Sequence, residues 1–153
     1  MNKHSDLLSS VIFFAALPCL ASCADDQLQI LVTIADARTH PAQVIDIGET
    51  GDSPGDILTF DQPLLDEQGS QIGNNSGVCI RTRVAHSFQC QWTLTLANGS
   101  IQVAGREFDQ AASNITIVGG TGEYAGITGE MKSVNNGDGT FTQTLHYSIR
   151  QIF

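Results

Sequence analysis

Apolar and polar residues alternate with a period of two along most of the chain, and no run carries the 3.6-residue period of an amphipathic helix. Residues 28–34 form a strongly apolar strand, and residues 55–60 a second, reached through the Gly/Asp/Ser/Pro loop 51–55. The cluster Gly73-Asn74-Asn75-Ser76 predicts a turn before a third strand at 77–84. Residues 88–96 alternate strictly, with Phe88, Cys90, Trp92, Leu94 and Leu96 on one face and Gln89, Gln91, Thr93 and Thr95 on the other. Asn98-Gly99 is a strong hairpin signal and leads into 101–108. Residues 114–118 are short and apolar, broken by Gly119-Gly120-Thr121-Gly122. Residues 125–134 follow, and Asn136-Gly137-Asp138-Gly139 turns into 141–149. Eight short, evenly spaced strands predict an all-β barrel or sandwich. An eight-stranded barrel has an interior just wide enough for packed side chains or one small ligand.

The first residues follow a different rule. Lys3 and His4 precede an apolar run at 7–20, and Leu20-Ala21-Ser22-Cys23 offers small residues at an exit point. That order predicts a secretory signal peptide over residues 1–22, with the folded domain at 23–153. The run is too short to span a bilayer. Leu20 to Cys23 also reads as a lipobox, which would put a lipid anchor on Cys23; plain cleavage beside Cys23 is the other reading. The chain is therefore expected to be secreted, or membrane-anchored on the non-cytoplasmic side. Its net charge of −9 gives no basic footprint for nucleic acid. Cys79 and Cys90 flank a turn in an oxidising compartment and are either a cross-strand disulfide or two buried thiols. Their spacing does not suit structural zinc and the four histidines are scattered, so no metal is expected.

The stretch ITIVGGTGEYAGITG (115–129) resembles the glycine-rich signature of plant dirigent proteins, and is similar to the corresponding stretch of allene oxide cyclases. GDILTF (55–60) looks like the allene oxide cyclase second strand, while Phe60 to Leu64 is closer to dirigents. Asp66 to Gly73, with Ser76-Gly77, resembles the bacterial spirotetronate cyclases that share this barrel. The resemblance covers nearly the whole mature chain. It implies a single eight-stranded antiparallel barrel of the allene oxide cyclase/dirigent type, a lumen that binds hydrophobic small molecules, no cofactor, and a homo-oligomer (dimer or trimer).

Alternation predicts the lumen lining. With Cys79 inward, as the resemblance implies, Gly77, Arg81 and Arg83 share its face; Ile30, Val32 and Ile34 are expected to line the lumen too. Gln62, Cys79, Arg81 and Tyr147 are the candidate catalytic residues, and Phe60, Trp92, Leu94, Glu107, Phe141 and Gln143 the candidate ligand-binding residues. Gln62 falls where allene oxide cyclases carry an Asn, and Cys79 matches their Cys. Their first-strand Glu and Asn fall on Val32 and Ile34, and the dirigent Arg falls on Ser113. An inward guanidinium at Arg81 needs a partner, Glu107 or a ligand carbonyl; on a flipped strand it is a surface charge. Two functions follow: a cofactor-independent cyclase or isomerase of dirigent-like steering type, or a non-catalytic lipocalin-like carrier. A filled lumen would instead leave the barrel a scaffold for surface interactions.

Overall fold

The computed structural model describes residues 27–150, so the expected signal peptide and Cys23 lie outside the described residues. The described chain is all β, with strands β1 (Gln29–Asp36), β2 (Gln43–Ile45), β3 (Ile57–Leu65), β4 (Gln71–Arg83), β5 (Ser87–Leu96), β6 (Gly99–Phe108), β7 (Ser113–Gly122), β8 (Ile127–Asn135) and β9 (Thr140–Ile149). Neighbours run antiparallel in the order β1-β9-β8-β7-β6-β5-β4-β3-β2, and β1 also pairs with β3 through Ile34↔Leu65 and Ala35↔Leu64. That last pairing closes eight strands into a barrel and removes the free edges. The short exposed β2 is an addition on the β3 edge that alternation did not predict.

Two local expectations are corrected. The Gly73–Ser76 cluster is not a turn but part of β4. Its glycines answer to close packing: a Cβ on Gly73 would sit 2.0 Å from the Thr95 carbonyl oxygen, and one on Gly77 would sit 2.3 Å from Trp92 Cβ. The turn lies earlier, where Asp66 caps it by accepting from the Gln68 and Ser70 amides. The inward face of β1 is Leu31, Thr33 and Ala35, not Ile30, Val32 and Ile34. Leu31 pairs with Leu145, Thr33 with Gln143 and Ala35 with Phe141. Thr33 is buried because its hydroxyl donates to Gln143 Oε1 at 3.1 Å, so a polar residue is satisfied inside and Ile30 is left 62% exposed outside.

Glycines shape the other corner. β7 runs through Gly119 and Gly120 with a register shift against β6 between Gln102 and Val103, and the chain turns only after Gly122. At one end of the barrel Leu94, Ile101, Ile127, Leu145 and Tyr147 pack a solid core. The strand ends near Asp36, Ile57, Arg83, Phe108 and Asn135 surround the other end, which is open.

Candidate functional site

Packing one end of the barrel leaves a cavity of about 500 Å³ in the other. Its wall is mostly rings and small apolar groups: Phe60 and Leu58 from β3, Phe88 and Trp92 from β5, Phe141 from β9, and Ala35 at the end of β1. Phe60 and Trp92 meet edge to face with centroids 6.3 Å apart. Polar side chains enter at a few points only. Gln62 and Asn75 face each other across β3 and β4, Gln143 projects from β9, Ser133 from β8 and Glu107 from β6.

Two of these side chains, and Trp92, each hold a buried polar atom without a partner within the described protein. Asn75 Oδ1, Trp92 Nε1 and Glu107 Oε2 are buried without a hydrogen bond, and all three residues line the cavity. A buried indole N–H usually finds an acceptor, so an unmatched one in a residue of the cavity wall is informative. The other oxygen of Glu107 accepts from the Ser133 hydroxyl at 2.7 Å. Burial pushes the Glu107 carboxyl above its ordinary range, and the Ser133 hydrogen bond only partly opposes that.

The expected site residues divide between this cavity and its surroundings. The cavity brings together Gln62, Cys79, Phe60, Trp92, Glu107, Phe141 and Gln143. Cys79 is disulfide-bonded to Cys90 across β4 and β5, so it offers sulfur surface to the lumen and no thiol. Leu94 is fully buried in the packed end rather than on the cavity wall. Tyr147 lies at that end too; its hydroxyl donates to Gln29 Oε1 at 3.2 Å and its ring packs edge-on against Tyr124. Asn75 and Ser133 belong to the site and were missed by sequence reading. The parity of Gly77 and Cys79, carried two residues back through β4, would have found Asn75.

Arg81 shares the inward parity of Cys79 but sits at the open end, and its partners are neither Glu107 nor a space left for a ligand. Its Nη1 donates to both carboxylate oxygens of Asp109, at 2.8 and 2.9 Å, and its Nε lies 2.6 Å from Asp52 Oδ1. The guanidinium stacks over the Phe88 ring at 3.6 Å. Asp46, Asp52, Asp56 and Asp109 surround it in a second hollow of about 530 Å³, which shares Leu58, Phe88 and Asp109 with the first. Asp56 folds the loop over this hollow: its carboxylate accepts from the Ile47 and Ser53 amides, which hold its pKa down.

A closed eight-stranded antiparallel barrel, packed at one end and hollow at the other, has an interior with room for one small molecule. The family model of the allene oxide cyclase barrel like domain matches residues 32–144, and the chain belongs to that family. Among solved structures it is similar to a pyocyanin demethylase, with 25% identity and a TM-score of 0.69 over 78% of this chain and 100% of the other. The pterocarpan synthase dirigent protein PsPTS1 shares the fold at 15% identity and a TM-score of 0.63, over 82% of this chain and 98% of that one. So does the Diels-Alderase AbmU from Streptomyces koyangensis, at 20% identity and a TM-score of 0.63, over 82% of this chain and 64% of that one. No curated protein matches the sequence.

Proposed function

We propose that the barrel takes one hydrophobic small molecule into its lumen and holds it in a single folded shape while a ring closure or rearrangement proceeds without a cofactor. The observation that carries this reading is the 500 Å³ apolar cavity lined by Asn75, Trp92 and Glu107, residues that each hold a buried polar atom without a partner. Rings and aliphatic groups exclude water, and the polar atoms fix orientation, which together lower a barrier without a strong acid or base. Glu107 is suited to hold or move a proton at its unpaired oxygen, because burial makes its carboxyl keep a proton more tightly. Similar structures named for a Diels-Alderase and a pterocarpan synthase dirigent protein support a cyclising or steering role.

The protein works outside the cytoplasm in this reading, either secreted or tethered through Cys23. The signal-like segment 1–22 and the Cys79–Cys90 disulfide both support that compartment. A second reading, a carrier that binds and does not convert, is favoured by the withdrawal of Cys79 into a disulfide and of Arg81 into ion pairs. Mass spectrometry of the mature protein purified from its host under native conditions tests both. A co-purifying apolar ligand is expected. Conversion of that ligand, or of polyene and oxidised-lipid substrates, with turnover in Glu107→Gln falling further than its loss of binding accounts for, establishes the cyclase or isomerase. Tight binding with no conversion leaves the carrier, and an empty lumen that takes up no apolar probe overturns both.

A further inference from the structure

The charges around the lumen say more about the ligand than its apolar wall does. Among the described residues lining the cavity there is no Lys, Arg or His. The carboxylates there are Glu107 and Asp109, and Asp109 is already occupied by both of its contacts with Arg81. Among the described residues of that wall, Glu107 is the one whose carboxylate has an oxygen, Oε2, buried without a hydrogen-bond partner. Two guanidiniums stand at the open end: Arg81 is neutralised by Asp52 and Asp109, and Arg38, against Gly139 of the rim, by Asp36, while Asp46 and Asp56 line the hollow around Arg81. An anionic ligand would thus cross an acidic entrance and arrive where no cation waits for it. The rings of Phe60, Trp92 and Phe141 line the cavity, and an aromatic face attracts positive charge, while the face of Phe88 already carries Arg81.

We propose that the lumen selects an apolar, ring-bearing molecule carrying a protonated nitrogen or, more weakly, a neutral O–H or N–H donor, which Glu107 receives, and that it turns away carboxylates. This rests on the reading that the lumen is a ligand site, and it names the class of ligand. Trp92 Nε1 then donates to an acceptor elsewhere on the same molecule. Ser133 keeps the recognising carboxylate in place through Glu107 Oε1, leaving Oε2 for the ligand.

The test uses three probes on one ring system: 9-(aminomethyl)anthracene, 9-(hydroxymethyl)anthracene and anthracene-9-carboxylate. Each is titrated into the mature protein with the fluorescence of Trp92, the sole tryptophan, as readout. The amine is expected to bind about tenfold or more tighter than the carboxylate, with the alcohol between, as a charge-assisted hydrogen bond implies. In Glu107→Gln the advantage of the amine over the alcohol is expected to vanish while the alcohol keeps its affinity. If the glutamine variant does not fold, Glu107→Leu, similar in volume but without an acceptor, replaces it, and there the amine is expected to lose its advantage over the carboxylate while the alcohol weakens as well. Equal binding of amine and carboxylate overturns the proposal. So does a preference for the amine that persists in both variants, since that would come from the overall acidity of the chain. Failure of all three probes to bind overturns the lumen site itself, and so separates the two readings.

Discussion

Glu107 is held between opposing influences, and the balance has a sign that can be measured. Burial favours its neutral form more than the Ser133 hydroxyl favours its charge, so its folded-state pKa lies above the unfolded value of about 4.3. Folding therefore takes up a proton between those two values, and the stability Glu107 contributes is greatest below the unfolded pKa and is lost as pH rises through the folded one. Glu107→Gln keeps the acceptor for Ser133 and removes the charge. Relative to the wild type, it should gain stability on going from about pH 4 to about pH 7, measured by urea unfolding at both. Asp36 has the opposite sign. Arg38 donates to it through Nε, Nη2 and the backbone amide and lowers its pKa to about 2. Its contribution is present above about pH 4 and lost as pH falls towards 2, so Asp36→Asn should flatten the acid limb of the same curve. Single residues were legible from sequence where parity was unambiguous, as for Phe60, Trp92 and Phe141. Arg81 was not, because its partners Asp52 and Asp109 lie 29 and 28 positions away on loops whose course no periodicity describes.

Strands carry a different kind of information. β5 and β9 alternate strictly, so their inward faces could be read directly. β1 is apolar on both faces, and its parity was decided by a buried Thr33–Gln143 hydrogen bond that only the paired strand reveals. β4 was cut short because glycines read as turns when their purpose was contact. Gly77 stands opposite Trp92 and leaves the space that the indole's Cβ occupies. Gly77→Ala should therefore push Trp92 out of place and cost about 2 kcal/mol, the order expected of an overpacked site. A shift in Trp92 emission accompanying a lower urea midpoint would show both effects; an unshifted emission would show that β4 bends instead. The disulfide ties the same two strands. Cys79→Ala with Cys90→Ala should cost about 2–3 kcal/mol, since it frees a loop of sequence separation 11 in the unfolded chain.

At the scale of the molecule, closure of the barrel was legible because eight strands with short turns leave few other ways to bury their apolar faces. The cavity was not, since alternation says which side chains point inward and not whether they fill the space. Nor was the strap over the open end, which consists of polar residues with no pattern. The segment between β2 and β3 is fixed there by the barrel wall. Arg81 N donates to the Asp56 carbonyl, Gly55 N donates to the Arg81 carbonyl, and the Asp52 carboxylate meets both Arg81 Nε and the Ala85 amide. Asp52 is the side chain among these that reaches across, and it is 38% exposed, so its ion pair contributes modestly to stability. Asp52→Ala should cost about 1 kcal/mol of global stability while freeing the strap locally. Trp92, 4% exposed on the cavity wall, then reports access from outside. Acrylamide should quench its fluorescence more strongly in Asp52→Ala than in the wild type at equal folded fraction. Asp61→Ala, on the outer face of β3, serves as the control and should leave quenching unchanged. Equal quenching in all three proteins would mean that the route from solvent into the lumen does not pass beneath the strap, and that the Arg81 cluster serves only to hold the loop.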